Sequence, residues 1–230
     1  MWLTRLRRHW ARHRYARHPF PEPALQKLLD MPWPAGKQPW NEASWLAVDL
    51  ETTGLDPRTG YVISIGWVAI EGGSIQLNTA RHLLIDSRNL VGDSATIHHI
   101  RDSDRSEGVD LPAALRMLAR ALNGRIALMH HSPLDTGFLR SALKEQFGFD
   151  WFHPTADTLE LEKKRLFQRE QNMPRHALRL NTCRERYGLP DSQAHNALED
   201  ALATAELFLA WANHYGSPGP KVRDCLTSRP

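Results

Sequence analysis

The chain has 230 residues, of which 41% are apolar and 24% charged, a composition that suits one α/β domain with an extension. No apolar run approaches the ~18 residues that a membrane-spanning helix needs, so we expect no membrane association. The two cysteines, Cys183 and Cys225, lack the spacing of a metal or redox motif. A reducing, cytoplasmic compartment is therefore expected.

The net charge of +3 is unevenly distributed along the chain. Residues 1–20 contain six arginines, three histidines and no acidic residue, so residues 21–230 carry a net charge of −3. Such a basic segment is compatible with a solvated tail, a phosphate-contacting arm or a docking element for a partner. A fourth interpretation is structural, because Trp2, Leu3, Leu6 and Trp10 are spaced to form one apolar helical face.

Prolines separate the basic segment from the remainder of the chain. They stand at Pro19, Pro21, Pro23, Pro32 and Pro34. Between them residues 24–29 have a helical pattern, and proline is tolerated only near the start of a helix. We therefore divide the chain into a basic extension and linker (1–40), a main domain (41–216) and a flexible Pro/Gly-containing tail (217–230).

The first half of the main domain has the pattern of strands. Residues 45–48 form an apolar run, ending at Asp49, that predicts a buried strand, and residues 61–70 are rich in β-branched and aromatic side chains. Gly72 and Gly73 predict a tight turn into a third strand over 74–85. Short connections of this kind predict an antiparallel meander.

The second half has mostly helical periodicity. Helices are predicted over residues 111–122, 134–147, 158–168, 175–187 and 195–215, and residues 125–129 predict another strand. Strands followed by helices indicate an α/β fold in which the helices cover a mixed sheet.

Asp49 and Glu51 lie at the end of the first predicted strand. Residues i and i+2 of a strand face the same side, so both carboxylates could bind one cation. The structural alternative is a pair of solvated acids at a strand end.

Three further residues are candidates for the same site. Asp135 follows the strand at 125–129, although an acid there could simply favour a helix N-terminus. His195 and Asp200 begin the last predicted helix, where His195 could instead be a cap or surface residue. We expect the neighbouring Glu199 to be exposed, because residues 197, 201, 204 and 205 form the small, packed side of that helix.

Taken together, these motifs resemble a known family. The order D-x-E-T-T-G-L, H-x4-D-x2-F-L and H-x4-D over residues 45–212 resembles the DEDD exonuclease superfamily, and Asp157-Thr158-Leu159 fits as well. That superfamily includes the epsilon proofreading subunit of DNA polymerase III, ribonuclease T and oligoribonuclease. The position four before the last aspartate is Asn196 rather than tyrosine, so the histidine subclass, stand-alone epsilon-like type, is the better match.

The resemblance implies a ribonuclease H-like fold, with a mixed five-stranded sheet flanked by helices, and two Mg²⁺ or Mn²⁺ ions. Asp49 would bridge both ions, Glu51 and Asp200 would hold the nucleophile-side ion, and Asp135 the other. His195 would be the general base, since an ordinary histidine pKa of ~6.5 suits proton transfer at neutral pH.

The resemblance also implies a substrate site at the turn after the first strand. Thr52, Thr53 and Gly54 would receive the terminal nucleotide, with Leu55 wedged against the last bases. The alternative is that these residues only form the turn. The expected activity is 3′–5′ exonucleolytic hydrolysis of nucleic acid with a free 3′ end, favouring single-stranded DNA and releasing nucleoside 5′-monophosphates.

Other functions remain open at the level of sequence. An exoribonuclease of the ribonuclease T or oligoribonuclease type would carry the same motifs, because no residue identifies a 2′-hydroxyl reader. A non-catalytic nucleic-acid-binding module, or one that docks on a DNA polymerase or repair partner, would keep the same fold.

Overall fold

The computed structural model describes residues 2–17, 20–86, 108–167, 174–192, 196–216 and 218–227. Five strands form one mixed sheet in the order β3-β2-β1-β4-β5. They are β1 (Trp45–Thr52), β2 (Val62–Glu71), β3 (Ser74–Leu84), β4 (Ile126–Met129) and β5 (Thr155–Asp157). The first three strands pair antiparallel, as the meander predicted, whereas β4 pairs parallel to β1 and to β5.

Helices flank this sheet, which confirms the predicted α/β class. They are α1 (Trp2–Arg17), α2 (Pro23–Asp30), α3 (Leu111–Leu122), α4 (Ser132–Phe147), α5 (Thr158–Phe167), α6 (Leu180–Glu185), α7 (Ala197–His214) and α8 (Val222–Cys225). Among the described residues, no helix is long and apolar enough to cross a membrane.

The two faces of the sheet bury separate hydrophobic cores. Leu46, Val48 and Leu50 of β1 face the core shared with α2, α3 and α4. Trp45 and Ala47 face the opposite core, which α5, α7 and α8 cover. Continuing this alternation of period two places Asp49 and Glu51 on the α7 side of the sheet.

Residues 218–227 are packed, so the predicted flexible tail is wrong for this segment. Val222 and Cys225 of α8 are fully buried, and Leu226 forms a bridge with Ala156 of the edge strand β5. The Thr227 amide also donates to Thr155 O at 3.0 Å. Covering β5 satisfies backbone groups that an edge strand otherwise leaves exposed.

Two other local predictions need correction. The helix predicted over 175–187 is divided into a 3₁₀ turn, Arg175–Leu178, and α6. The break occurs because Arg179 is extended, while Leu178 O accepts a hydrogen bond from the His130 side chain rather than from a helical amide. The strand β5 was not located from sequence, because three residues carry no periodic signal.

The basic extension folds as helix α1 and packs on α2, but not by its predicted apolar face. Leu6 and Trp10 are exposed, whereas Arg8 and Ala11 are buried. The Arg8 guanidinium donates to the carbonyl oxygens of Leu28, Leu29 and Met31 at the C-terminal end of α2. Cations are favourable at that end of a helix, so one arginine serves as the anchor of α1.

Candidate metal centre and active site

Three carboxylates meet at the end of β1 and the start of α7. Ligand atoms of Asp49, Glu51 and Asp200 all lie within 4.8 Å of one another, and each residue is half-buried. Asp49 and Glu51 share a face because they are two residues apart on β1. Three convergent oxygens in a partly closed site suit a hard divalent cation such as Mg²⁺ or Mn²⁺.

A glycine on β2 allows α7 to bring Asp200 into this cluster. Gly66 pairs directly with Asp49 in the sheet. A Cβ atom at Gly66 would stand only 2.1 Å from the carbonyl carbon of Ala197 and 2.2 Å from the Leu198 amide nitrogen. The first turn of α7 therefore lies against the backbone of β2, and Asp200 follows one turn later. The sequence interpretation missed Gly66, for which a lone glycine within a strand was the available signal.

Asp135 enters the same region from the opposite core. It lies in the first turn of α4 and is 5% exposed. Its carboxylate accepts a hydrogen bond from the backbone amide of Leu50, the residue that separates Asp49 from Glu51 in the sequence. The parallel pairing of β1 with β4 ends at Ala47 and Leu128. The Leu50 amide lies beyond that ladder, so it donates to the Asp135 side chain instead of to a strand.

The electrostatics of the cluster favour a bound cation. Burial, followed by the charges of Asp135, Asp200 and Glu51, raises the pKa of Asp49 to about 9. Burial and the charge of Asp157 raise the pKa of Asp135 well above its usual value. Carboxylates this close cannot all ionise unless positive charge compensates them. A divalent cation would supply that charge, so the residues present fit a metal ion.

A buried aspartate next to the site organises the two helices that follow β4 and β5. Asp157 is 1% exposed and accepts hydrogen bonds from the amides of His131, Ser132 and Leu159 at 2.8–3.0 Å, and from the Ser132 hydroxyl at 2.9 Å. It thereby satisfies N-terminal donors of both α4 and α5. Sequence inspection noted its motif but assigned it no role.

His130 is a structural residue of the same framework. Its Nδ1 lies 2.8 Å from the Thr158 hydroxyl and its Nε2 lies 2.9 Å from Leu178 O. Burial lowers the pKa of His130, which favours the neutral ring. Because both ring nitrogens are engaged by the protein, His130 holds the end of β4 against the segment before α6.

The turn after β1 has both structural and exposed groups. The Thr53 amide and hydroxyl bond with the backbone of Tyr61, and the Thr52 hydroxyl donates to Gly54 O at 2.7 Å. The Thr53 amide therefore has its acceptor within the turn, at Tyr61 O. The Leu55 side chain is 81% exposed, so it does not pack in the core and is accessible to a ligand.

The predicted general base, His195, lies outside the described residues. Its neighbour Asn196 caps α7, accepting hydrogen bonds from the amides of Leu198 and Glu199 at 3.0 and 3.3 Å. Glu199 is exposed, as expected, while Asp200 turns toward the cluster.

Comparison with known proteins defines the family. The profile of a family described as Exonuclease matches residues 46–208, more than two thirds of the chain. The chain therefore belongs to this exonuclease family.

Its relatives include DNA polymerase III proteins of bacteria. The chain is 32% identical over 188 residues to a DNA polymerase III PolC-type protein of Thermotoga maritima, covering 82% of this chain and only 13% of that protein. It is 26% identical over 172 residues to the DNA polymerase III subunit epsilon of Treponema pallidum, covering 75% of this chain and 78% of that one.

The fold matches that of solved nucleases. The structure of E. coli exonuclease I in a complex with single-stranded DNA superposes with a TM-score of 0.61 at 17% identity, over 75% of this chain and 41% of that chain. At this level of identity the similarity concerns the fold alone.

Proposed function

We propose that this protein is a 3′–5′ exonuclease that hydrolyses the terminal phosphodiester bond of single-stranded DNA and releases nucleoside 5′-monophosphates. The observation that carries the proposal is the convergence of Asp49, Glu51 and Asp200 within 4.8 Å, with Asp135 hydrogen-bonded to the intervening Leu50 amide. Membership of the exonuclease family supports the reaction class.

Each acidic residue has a distinct proposed role. Asp49 is central, since its pKa responds to all three other carboxylates, and we assign it as the bridging ligand of two cations. Glu51 and Asp200 would hold the ion on the side of the attacking water, and the more buried Asp135 would complete the second position. When bound, two Mg²⁺ or Mn²⁺ ions would supply positive charge that stabilises the attacking and leaving oxygens during hydrolysis.

The remaining roles belong to protein groups around the cluster. His195 accepts the proton of the attacking water, a task suited to an imidazole at neutral pH. The exposed Gly54 and Leu55 lie in the turn directly after β1 and contact the terminal nucleotide, with Leu55 against its base. The hydroxyls of Thr52 and Thr53 shape that turn.

The choice of DNA rests on relatives rather than on a specific contact. The relatives named above are DNA polymerase III proteins, and the superposed exonuclease I is bound to single-stranded DNA. A second candidate is an exoribonuclease, since the site contains the same carboxylates for either sugar. Association with a DNA polymerase is a further proposal, drawn from the names of the same relatives.

End-labelled oligonucleotides test the activity and its polarity together. Matched single-stranded DNA and RNA labelled at the 5′ end should shorten stepwise from the 3′ end, and DNA should be degraded faster. Activity should disappear in excess EDTA and return with Mn²⁺ or Mg²⁺. Asp49→Asn should abolish it, whereas Asp110→Asn, the same change at an exposed aspartate that precedes α3, should not.

Three results would overturn parts of the proposal. Full activity in excess chelator removes the metal mechanism, and a labelled mononucleotide released first from the 5′ end reverses the polarity. Faster degradation of RNA transfers the assignment to the exoribonuclease alternative.

A further inference from the structure

A groove lies between helix α1 and the end of α4, away from the carboxylate cluster. It has a volume of about 480 Å³. Its lining includes the aromatic side chains of Trp10, Tyr15 and Phe152 together with Arg7 and Asp150. Trp10 is 69% exposed, which is unusual for the largest apolar side chain in a helix that has an available core beneath it. Aromatic rings at the surface of a groove are suited to stacking on planar groups.

The charge around this groove is positive. No acidic residue occurs in α1, whose exposed side chains include Arg7, Arg12, His9 and His13. Asp150, the acid in the groove, is paired with both Arg7 and Arg140. The positive charge of α1 contrasts with residues 21–230, which carry a net −3. An anionic ligand with flat, stackable groups fits this combination of charges and rings.

The helix is fixed in place, so its exposed face has a defined orientation. Arg8 anchors it through the carbonyls of Leu28, Leu29 and Met31, and Ala11 is buried on the same side. The anchoring arginine does not line the groove. The exposed ring of Trp10 is therefore available to a ligand without weakening the Arg8 anchor.

We infer that this groove binds the substrate strand upstream of the cleaved 3′ end. The inference rests on the proposed function, because it extends the same strand from the carboxylate cluster. Aromatic rings that stack on successive bases, next to cations that contact phosphates, are the means by which proteins bind single strands without sequence preference. Trp10 and Phe152 supply the stacking surfaces, and Arg7, the arginine in the lining, supplies the phosphate contact.

Helix α4 sets the number of nucleotides that must separate the two sites. Asp135 is in its first turn and Gly148, which lines the groove, is its C-cap. These positions are thirteen residues apart, which corresponds to ~20 Å at 1.5 Å per residue. A stacked strand rises about 3.4 Å per nucleotide, so it needs about six nucleotides to cover that distance, and an extended strand needs fewer. A dinucleotide is therefore too short to occupy both sites.

The test compares a long and a short substrate in two double variants. Trp10→Ala with Arg7→Glu removes a ring and a cation that line the groove. The control is Leu77→Ala with Lys37→Glu. Leu77 matches Trp10 in exposure, at 67% against 69%, and Lys37→Glu makes the same change of charge as the arginine substitution. All four positions are exposed, so both variants should fold, and thermal unfolding checks that they do.

Steady-state kinetics at low salt should separate the two substrates. For an oligonucleotide of ~15 nucleotides, the α1 variant should raise KM at least about fivefold, the lower end of the contribution of one stacked base. Its KM for a dinucleotide and its kcat for both substrates should stay at the values of the unmodified protein. The control should match the unmodified protein on both substrates. A slope of log KM against log salt that is smaller by about 0.7 in the α1 variant would show that Arg7 binds one phosphate.

The outcomes distinguish this inference from the proposed function. If the unmodified protein hydrolyses both substrates and the α1 variant has unchanged KM values, the groove does not bind the strand and the inference is overturned. An acidic protein partner would then be the better occupant for α1. If the unmodified protein hydrolyses neither substrate with Mn²⁺ present, the proposed function fails instead.

Discussion

Substituting Gly66 tests the contact that brings helix α7 to the carboxylate cluster. The Cβ atom of Gly66→Ala would lie 2.1 Å from the Ala197 carbonyl carbon, whereas ordinary contacts begin at 3.4 Å. The start of α7 must therefore move by about 1.3 Å, taking Asp200 with it. All three ligand atoms lie within 4.8 Å of one another, so this shift is a large fraction of the cluster's size.

The expected effect is greater on activity than on stability. Misplacing a reacting group by ~1 Å can reduce the rate about 10²-fold. Overpacking of this kind lowers the free energy of unfolding by about 1–3 kcal/mol. We expect kcat/KM for a single-stranded oligonucleotide to fall about 10²-fold and calorimetry to show weaker Mn²⁺ binding, while the protein remains folded.

A matched glycine provides the control for this experiment. Gly36→Ala adds the same methyl group where the nearest atom is the Arg223 Cβ at 3.3 Å, in helix α8, which contributes no carboxylate to the cluster. It should leave kcat/KM unchanged. Wild-type Mn²⁺ affinity and a rate within about threefold in Gly66→Ala would refute the reasoning, since they would mean that α7 adjusts without moving Asp200.

Three further predictions concern the base, the charge cluster and the N-terminal helix. His195→Ala should lose at least about 10²-fold in kcat with unchanged Mn²⁺ binding; a near wild-type rate at pH 7 would assign the proton transfer elsewhere. The fold raises the pKa of Asp49 to about 9, so the metal-free protein should lose thermal stability as the pH rises from about 4 to 9. Asp49→Asn should reduce that loss. Identical plots of Tm against pH for the two proteins would contradict this prediction. Deleting residues 1–20 removes the buried Arg8 anchor and the Phe20 ring, which should lower the free energy of unfolding by about 2 kcal/mol. For a protein of this size, Tm should then fall by roughly 4–8 °C. An unchanged Tm would show that α1 adds no stability.

The sequence alone determined the elements whose side chains repeat with a clear period. The meander of β1–β3 and helices α3, α4 and α7 were predicted because apolar residues recur every two or every three to four positions. The resemblance of its motifs to a known family also indicated the grouping of Asp49, Glu51 and Asp200, whose ligand atoms lie within 4.8 Å of one another. The exposure of Glu199 followed from the small residues on the opposite side of α7.

Tertiary structure decided the features that depend on contacts between distant segments. No local pattern indicates that Gly66 lies against Ala197, that Asp157 caps α4 from another strand, or that α8 covers β5. The N-terminal helix is the clearest example. Its apolar residues predicted a face containing Leu6 and Trp10, yet the packed face contains Arg8. A guanidinium can be buried when it satisfies several carbonyl groups at a helix end, and those carbonyls belong to α2, about twenty residues along the chain.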